Sequence, residues 1–202
     1  MHPEVLDENQ RDLLSLVSYF SPRFGLVGGT AIALHLGHRR SIDFDLFTTK
    51  PFDINQVKKQ VNANHKISHT FIQGRDELSI LVDRVKLTFY HYPYPIEFPE
   101  DFENIIKTPD LLTLGAMKAF ALGRRAKWKD YVDLYFLFKE YSFTDLVVKT
   151  RELFGQEFNE KFFRIQLSYF EDIDFSEEVI YMPGYEMSLE VIQKKLTDVS
   201  VQ

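Results

Sequence analysis

The chain has 202 residues, of which 45% are hydrophobic and 15% aromatic, with no cysteine and a formal net charge of −6. That composition predicts an ordered globular protein of one domain, or one domain with a helical extension, and it excludes disulfides, thiolate metal sites and cysteine nucleophiles. The acidic balance argues against wrapping a long nucleic acid, which needs an extended basic surface, but leaves room for a local basic pocket.

The opening residues Met1-His2-Pro3-Glu4 lack the basic and apolar stretches of a signal peptide, and no apolar run approaches the ~20 residues that span a bilayer. A soluble, cytoplasmic protein without a membrane partner is expected.

In chain order, Leu13, Leu14, Val17 and Phe20 recur at helical spacing over Asn9–Phe20, and Ser21-Pro22 ends that helix. A short apolar strand, Phe24–Val27, runs into Gly28-Gly29-Thr30. A second helix follows and stops at Gly37. Ser41–Phe47 alternates strictly, as a strand does, and Asp53 reads as the N-cap of a polar helix ending near Asn64. Lys66–Gln73, Leu78–Val82 and Val85–Tyr92 read as further strands, the last two joined tightly through Asp83-Arg84. Pro93, Pro95 and Pro99 close this region. Helices are predicted near 110–122, 129–141, 143–154, 159–170 and 188–198. A boundary near Lys107 divides an α/β unit, 1–107, from a helical unit, 108–202.

Residues two apart on a strand project from one face, so Asp43 and Asp45 aim two carboxylates at one spot. Like charges that close call for compensation. A magnesium ion held by carboxylates and substrate phosphates supplies it, whereas solvated acids on a half-exposed edge strand are the plainer reading. Gly28-Gly29 opens a helix after a strand, which leaves backbone N–H groups facing outward as a ready anion site, unless it is an ordinary turn. Thr30 is suited to cap that helix or to meet a phosphate oxygen. The spacing matches neither a Walker loop nor a dinucleotide fingerprint.

The run from Val27 through Gly28-Gly29-Thr30, His35, His38-Arg39-Arg40-Ser41 and Asp43-Phe44-Asp45 to Phe47 closely resembles the AbiEii/AbiGii toxin family, nucleotidyltransferases of the DNA polymerase β superfamily. Met117–Leu122 and Lys129–Leu137 are similar to a second block of that family. The resemblance covers roughly residues 24 to 140. It implies an α/β (α+β) fold, a polymerase β-like mixed sheet with flanking helices, followed by a C-terminal helical bundle. It further implies NMP transfer from an NTP to an acceptor hydroxyl, on a tRNA 3′ end or another acceptor RNA or a protein. Mg2+, or Mn2+ in its place, would sit on Asp43 and Asp45. Gly28, Gly29, Thr30, Arg39, Ser41 and Lys118 would face the nucleotide, and a cognate antitoxin would accompany the toxin. A catalytically weak nucleotide-binding regulator of the same fold is the alternative.

On the helix from Asp110 to Leu122, Lys118 falls on the inward stripe of Leu111, Leu114, Ala121 and Leu122. A lysine there needs a partner. The resemblance implies a triphosphate, while Asp130 and Asp133 at the start of the next helix are equally suited to pair with it or to orient a reacting group. Between Leu111 and Lys129 lie Lys118, Arg124, Arg125, Lys127 and Lys129 with no acid, an excess that suits a polyphosphate or an RNA end, or a solvated loop. Arg39 and Arg40 extend that patch if the two blocks meet. His35 and His38 have no evident third ligand, and Trp128 is expected in the core. The strand carrying the superfamily's third carboxylate would here read Val85–Tyr90, with Thr88 at that position, which implies weakened two-metal chemistry.

Overall fold

The structure is a computed structural model and describes residues 1–122 and 124–202. Five strands form one mixed sheet in the order β1-β2-β5-β4-β3: β1 (Gly25–Val27), β2 (Asp43–Thr48), β3 (Ile67–Gln73), β4 (Glu77–Val82) and β5 (Val85–His91). β2 lies antiparallel to β1 and parallel to β5, while β5, β4 and β3 form an antiparallel meander. The β4–β5 turn is Asp83-Arg84, both at positive φ (45° and 72°), as a two-residue hairpin with right-handed twist requires.

Alternation divides the sheet into two faces. Phe44 and Leu46 of β2, Leu87 and Phe89 of β5, and Leu78 and Ile80 of β4 are buried together. Phe89 packs edge-on against Phe20 and Phe24, with ring centroids 4.8 and 5.3 Å away. The other face carries Asp43, Asp45 and Phe47 beside Lys86, Thr88 and Tyr90.

The N-terminal helix breaks into α1 (Glu8–Asp12) and α2 (Leu14–Phe20) at Leu13, whose N–H turns back to the Gln10 carbonyl. Helical spacing cannot show such a break, because the buried residues Gln10, Leu13, Val17 and Phe20 keep that spacing through it. α3 (Gly28–Leu36) ends at Gly37 with φ +68°, and α4 (Ile54–Val61) is capped by Asp53, as the sequence indicates. The proline-rich stretch hides a further hairpin, β6 (Glu100–Phe102) and β7 (Ile106–Thr108), turning through Glu103-Asn104 at positive φ. Its strands are too short for alternation to register.

Helices α5 (Leu111–Leu122), α6 (Trp128–Glu140), α7 (Phe143–Phe154), α8 (Glu160–Ser168) and α9 (Leu189–Ser200) follow. One apolar core runs from the sheet through Ala31, Ile32 and Leu34 of α3 into Leu114, Leu134 and Leu137 of α5 and α6. Between α8 and α9 the chain crosses back as an irregular strap. Its Asp174 exchanges backbone bonds with Ala126 and Trp128, and its Ile180 and Met182 do so with Arg40 and His38.

Candidate active site

β2 is paired on both sides, so Asp43 and Asp45 do not stand on an edge strand with solvated acids. Both are half-buried. Burial, and then the Asp45 charge, push the Asp43 carboxyl above its ordinary range, while Lys86 and Lys129 pull the other way. A cation between the two acids would remove that repulsion.

The glycine turn sits directly on this pair. Gly28 has φ +72°, and a Cβ there would run into Asp45 Oδ2. At Gly29 a Cβ would meet Arg39 Nη2 at 2.8 Å and Ser41 Oγ at 3.2 Å. The absence of side chains therefore lets the start of α3 lie against Asp45, Arg39 and Ser41 together. The N-cap Val27 offers no side-chain acceptor, and the first backbone N–H groups of α3, like those of any helix, have no intrahelical one. The Thr30 side chain does not fill either role expected of it. It is buried, and its hydroxyl donates to the Asp43 carbonyl, tying helix to strand.

Parallel pairing sets Thr88 beside Asp45 and Lys86 beside Asp43. Among the described residues no group of three or more His, Cys, Asp or Glu side chains could hold a metal by itself. Two carboxylates completed by substrate phosphates and water remain a fitting donor set for magnesium, which keeps several waters and binds few protein ligands. Glu77 is the register partner of Tyr90 on the same sheet, whereas Asp83 lies beyond the far end of β4, bonded to His65.

The two blocks meet in an ionic cluster that is buried except for Arg125, whose side chain is half-exposed. Arg39 donates to Asp133 through Nε (2.7 Å) and Nη2 (2.8 Å), and His38 Nε2 reaches the same carboxylate at 2.8 Å. Lys118 Nζ lies 2.7 Å from Asp130 and 3.0 Å from Asp133, and Arg125 Nε is 3.0 Å from Asp130. Burial alone would raise the Asp133 pKa, but Arg39, Lys118 and the His38 bond hold it well below the carboxylate range. Asp130 is lowered too, with Lys118 and Arg125 outweighing burial. Burial keeps His38 below its ordinary value.

The positive patch expected from spacing is therefore largely neutralised inside the fold. Arg39 is spent on Asp133, and only Arg40 of that pair is exposed. Lys127 and Lys129 both bind Glu177 of the strap, whose carboxyl they hold at about 2 against the raising effect of burial. Arg124 is exposed and loosely paired with Glu157 at 3.6 Å. His35 bonds the Pro109 carbonyl, and Trp128 is buried against Tyr131, so neither joins the site.

A cleft of about 460 Å³ opens between the acidic sheet face and α5, lined by Gly28, Asp45, Thr88, Lys118 and Arg125 among others. Sequence spacing missed its further lining: Lys86 and Tyr90, which share the Thr88 alternation along β5, and Tyr92 and Tyr94 beyond its end. Glu177 was also missed, and nothing in its local sequence marks it.

Across the whole fold, MenT4, a nucleotidyltransferase toxin from Mycobacterium tuberculosis, superposes with a TM-score of 0.60 at 13% identity, covering 95% of this chain and 80% of that one. A candidate nucleotidyltransferase from H. pylori gives 0.61 at 18% identity, covering 96% and 92%. Both likenesses speak to the fold alone. An uncharacterized Aquifex aeolicus protein is 36% identical over 127 residues, a match spanning 58% of this chain and 59% of that protein. No helix among the described residues is long and apolar enough to cross a membrane. The family model for the nucleotidyl transferase AbiEii toxin of type IV toxin–antitoxin systems matches residues 12–198, and the chain belongs to that family.

Proposed function

We propose that the chain transfers a nucleoside monophosphate from an NTP to an acceptor hydroxyl, as the toxin of a toxin–antitoxin pair. The observation that carries this reading is the contact between the uncapped start of α3 at Gly28 and the Asp45 carboxylate. An anion site and a cation site that touch suit a metal-bound triphosphate.

In this reading the phosphates lie over the Gly28-Gly29 amides, with Ser41 and the inner edge of Arg39 beside them. Asp43 and Asp45 would hold Mg2+, or Mn2+ in its place, which would neutralise phosphate charge and align acceptor and leaving group for in-line displacement. The acceptor oxygen forms a bond to the α-phosphorus and gives up its hydroxyl proton to water, the α–β phosphoanhydride bond breaks, and its electron pair leaves with pyrophosphate. Lys118 and Arg125 line the cleft and present positive charge to the leaving group, and Asp130 and Asp133 act as positioning residues that keep both cations in place. The acceptor is an RNA, such as a tRNA 3′ end, or a protein, and a cognate antitoxin accompanies the chain.

The test is incubation with each labelled NTP, magnesium and total cellular RNA or protein. Label transferred to a macromolecule, and lost with Asp45→Asn, is the expected result; no label with any NTP would overturn it. One observation favours a second reading, a nucleotide-binding regulator of weak turnover. Thr88 stands beside Asp45, and a threonine hydroxyl neither binds a second metal well nor takes the acceptor proton at neutral pH.

A further inference from the structure

The face that carries Asp43 and Asp45 does not end with them. Phe47 follows on the same side of β2, Tyr90 is its register partner on β5, and their rings lie 5.1 Å apart. Tyr92 continues the row, 5.2 Å from Phe47, and Tyr94 follows at 5.3 Å. The far end is braced: Tyr94 packs edge-on against Phe154 at 4.8 Å, and its hydroxyl donates to Glu157 at 2.7 Å. These rings line the same cleft as Asp45 and Gly28 while staying half-exposed.

An interior core would bury such a row. A lipid or aliphatic peptide site would be lined by aliphatic side chains and shun charge. Here the wall is aromatic, and cations share its cleft: Lys86 beside the acids, Arg125 on Asp130, and Arg124 near the Tyr94 end, where Phe120 packs 5.5 Å from Tyr94. The Arg124 side chain is 62% exposed, and its guanidinium lies over the Phe120 ring, 4.3 Å from the centroid. Its ion pair with Glu157 is solvent-exposed and weak, so a phosphate can take it over. Flat rings bordered by arginine are how proteins hold bases of unpaired nucleotides, the rings stacking and the cations meeting the backbone. The cleft volume lies within the roughly 300–1,000 Å³ usual for such ligands.

We propose that the Tyr90–Tyr92–Tyr94 wall is a nucleobase subsite, in which a base stacks on Tyr92 while Arg124 holds an adjoining phosphate. This rests on the transferase reading above. The base belongs either to the incoming NTP or to the unpaired end of an acceptor RNA, and both sources present the same flat ring.

The experiment compares wild type, Tyr92→Leu and Tyr92→Phe by titration calorimetry in magnesium. The probes are the four NTPs, inorganic tripolyphosphate, a short single-stranded RNA and the same RNA with an abasic 3′ residue. Stacking of one base predicts that Tyr92→Leu weakens either NTP or RNA binding by about 5- to 150-fold and leaves tripolyphosphate and abasic RNA unchanged. Tyr92→Phe keeps a ring and retains affinity. Loss confined to NTPs identifies the incoming base; loss confined to RNA identifies the acceptor. If Tyr92→Leu does not fold, Tyr90→Leu gives the same comparison. Unchanged binding of both base-bearing probes overturns the subsite and leaves the transferase reading standing, because tripolyphosphate still binds. Wild type that binds neither tripolyphosphate nor any NTP overturns both.

Discussion

Gly28 touches Asp45: the helix start and the carboxylate approach so closely that a single methyl group between them would force one to move. Gly28→Ala therefore tests the geometry of the site without removing any polar group. Its φ of +72° adds backbone strain, so stability should fall by about 1 kcal/mol or more. Displacing Asp45 by about 1 Å should lower transfer by roughly 10²-fold. Thermal melting beside single-turnover labelling separates the two effects, and a variant with wild-type transfer would dissociate the turn from the acids.

Asp43→Asn and Asp45→Asn each remove one of two crowded charges. Burial and the Asp45 charge already raise Asp43, so either substitution should leave the melting temperature unchanged or higher in metal-free buffer. Transfer should be abolished. Full labelling by either variant would refute the metal assignment.

Lys118→Ala uncovers two buried carboxylates at once, although Arg125 still reaches Asp130 and Arg39 still reaches Asp133. Breaking a buried pair costs about 3–5 kcal/mol, so a marked drop in melting temperature is expected. Lys118→Arg keeps the charge and should retain more NTP affinity than Lys118→Ala. If calorimetry finds NTP affinity untouched while stability falls, the lysine serves the fold alone.

Asp133→Asn predicts a distinct pH signature. Arg39, Lys118 and His38 hold the folded Asp133 carboxyl well below its ordinary range, so its stabilisation is fully present above pH ~4 and is lost as pH falls toward the folded value. Asp130 and Glu177 act in the same direction. Asp43 acts in the opposite direction, because its raised pKa relieves strain on acidification. The buried Asp133, held well below the carboxylate range by three partners, has the most to lose on protonation, and wild type should melt progressively earlier below pH ~4. Asp133→Asn should melt lower at pH 7, by the equivalent of about 3–5 kcal/mol, with a shallower acid slope. An unchanged slope would remove Asp133 from the account.

Thr88→Asp would set a carboxylate next to Asp45, where the parallel register of β2 and β5 leaves only a hydroxyl. Nucleotide binding should change little, while second-metal occupancy in a manganese titration should rise. The transfer rate should increase toward the roughly 10²–10⁴-fold that base assistance contributes. Fast wild-type turnover with two metals would instead mean that another acid completes the site, and Glu77, which lines the cleft, is the one to substitute next.

Period-two alternation is a local property of the backbone, and so the shared face of Asp43 and Asp45 was legible from Ser41–Phe47 alone. The same holds for Gly37 ending α3, for Asp53 capping α4 and for the tight Asp83-Arg84 turn, each a matter of a few consecutive residues. Who neutralises whom was not. Spacing showed that Lys118 needed a partner and named Asp130 and Asp133 among the candidates. That both carboxylates take it, and that Arg39 and His38 reach Asp133 across more than 90 positions, depends on α3 closing over α5 and α6. Glu177 reaches Lys127 and Lys129 only because the strap folds back across the start of α6. The tyrosine wall obeys the same division: alternation set Lys86, Thr88 and Tyr90 on one side of a strand, but only the sheet order brought that side against Asp45 and Phe47. Periodicity tells which side chains point together, whereas charge and stacking act between chain segments, and only the closed fold decides which segments meet.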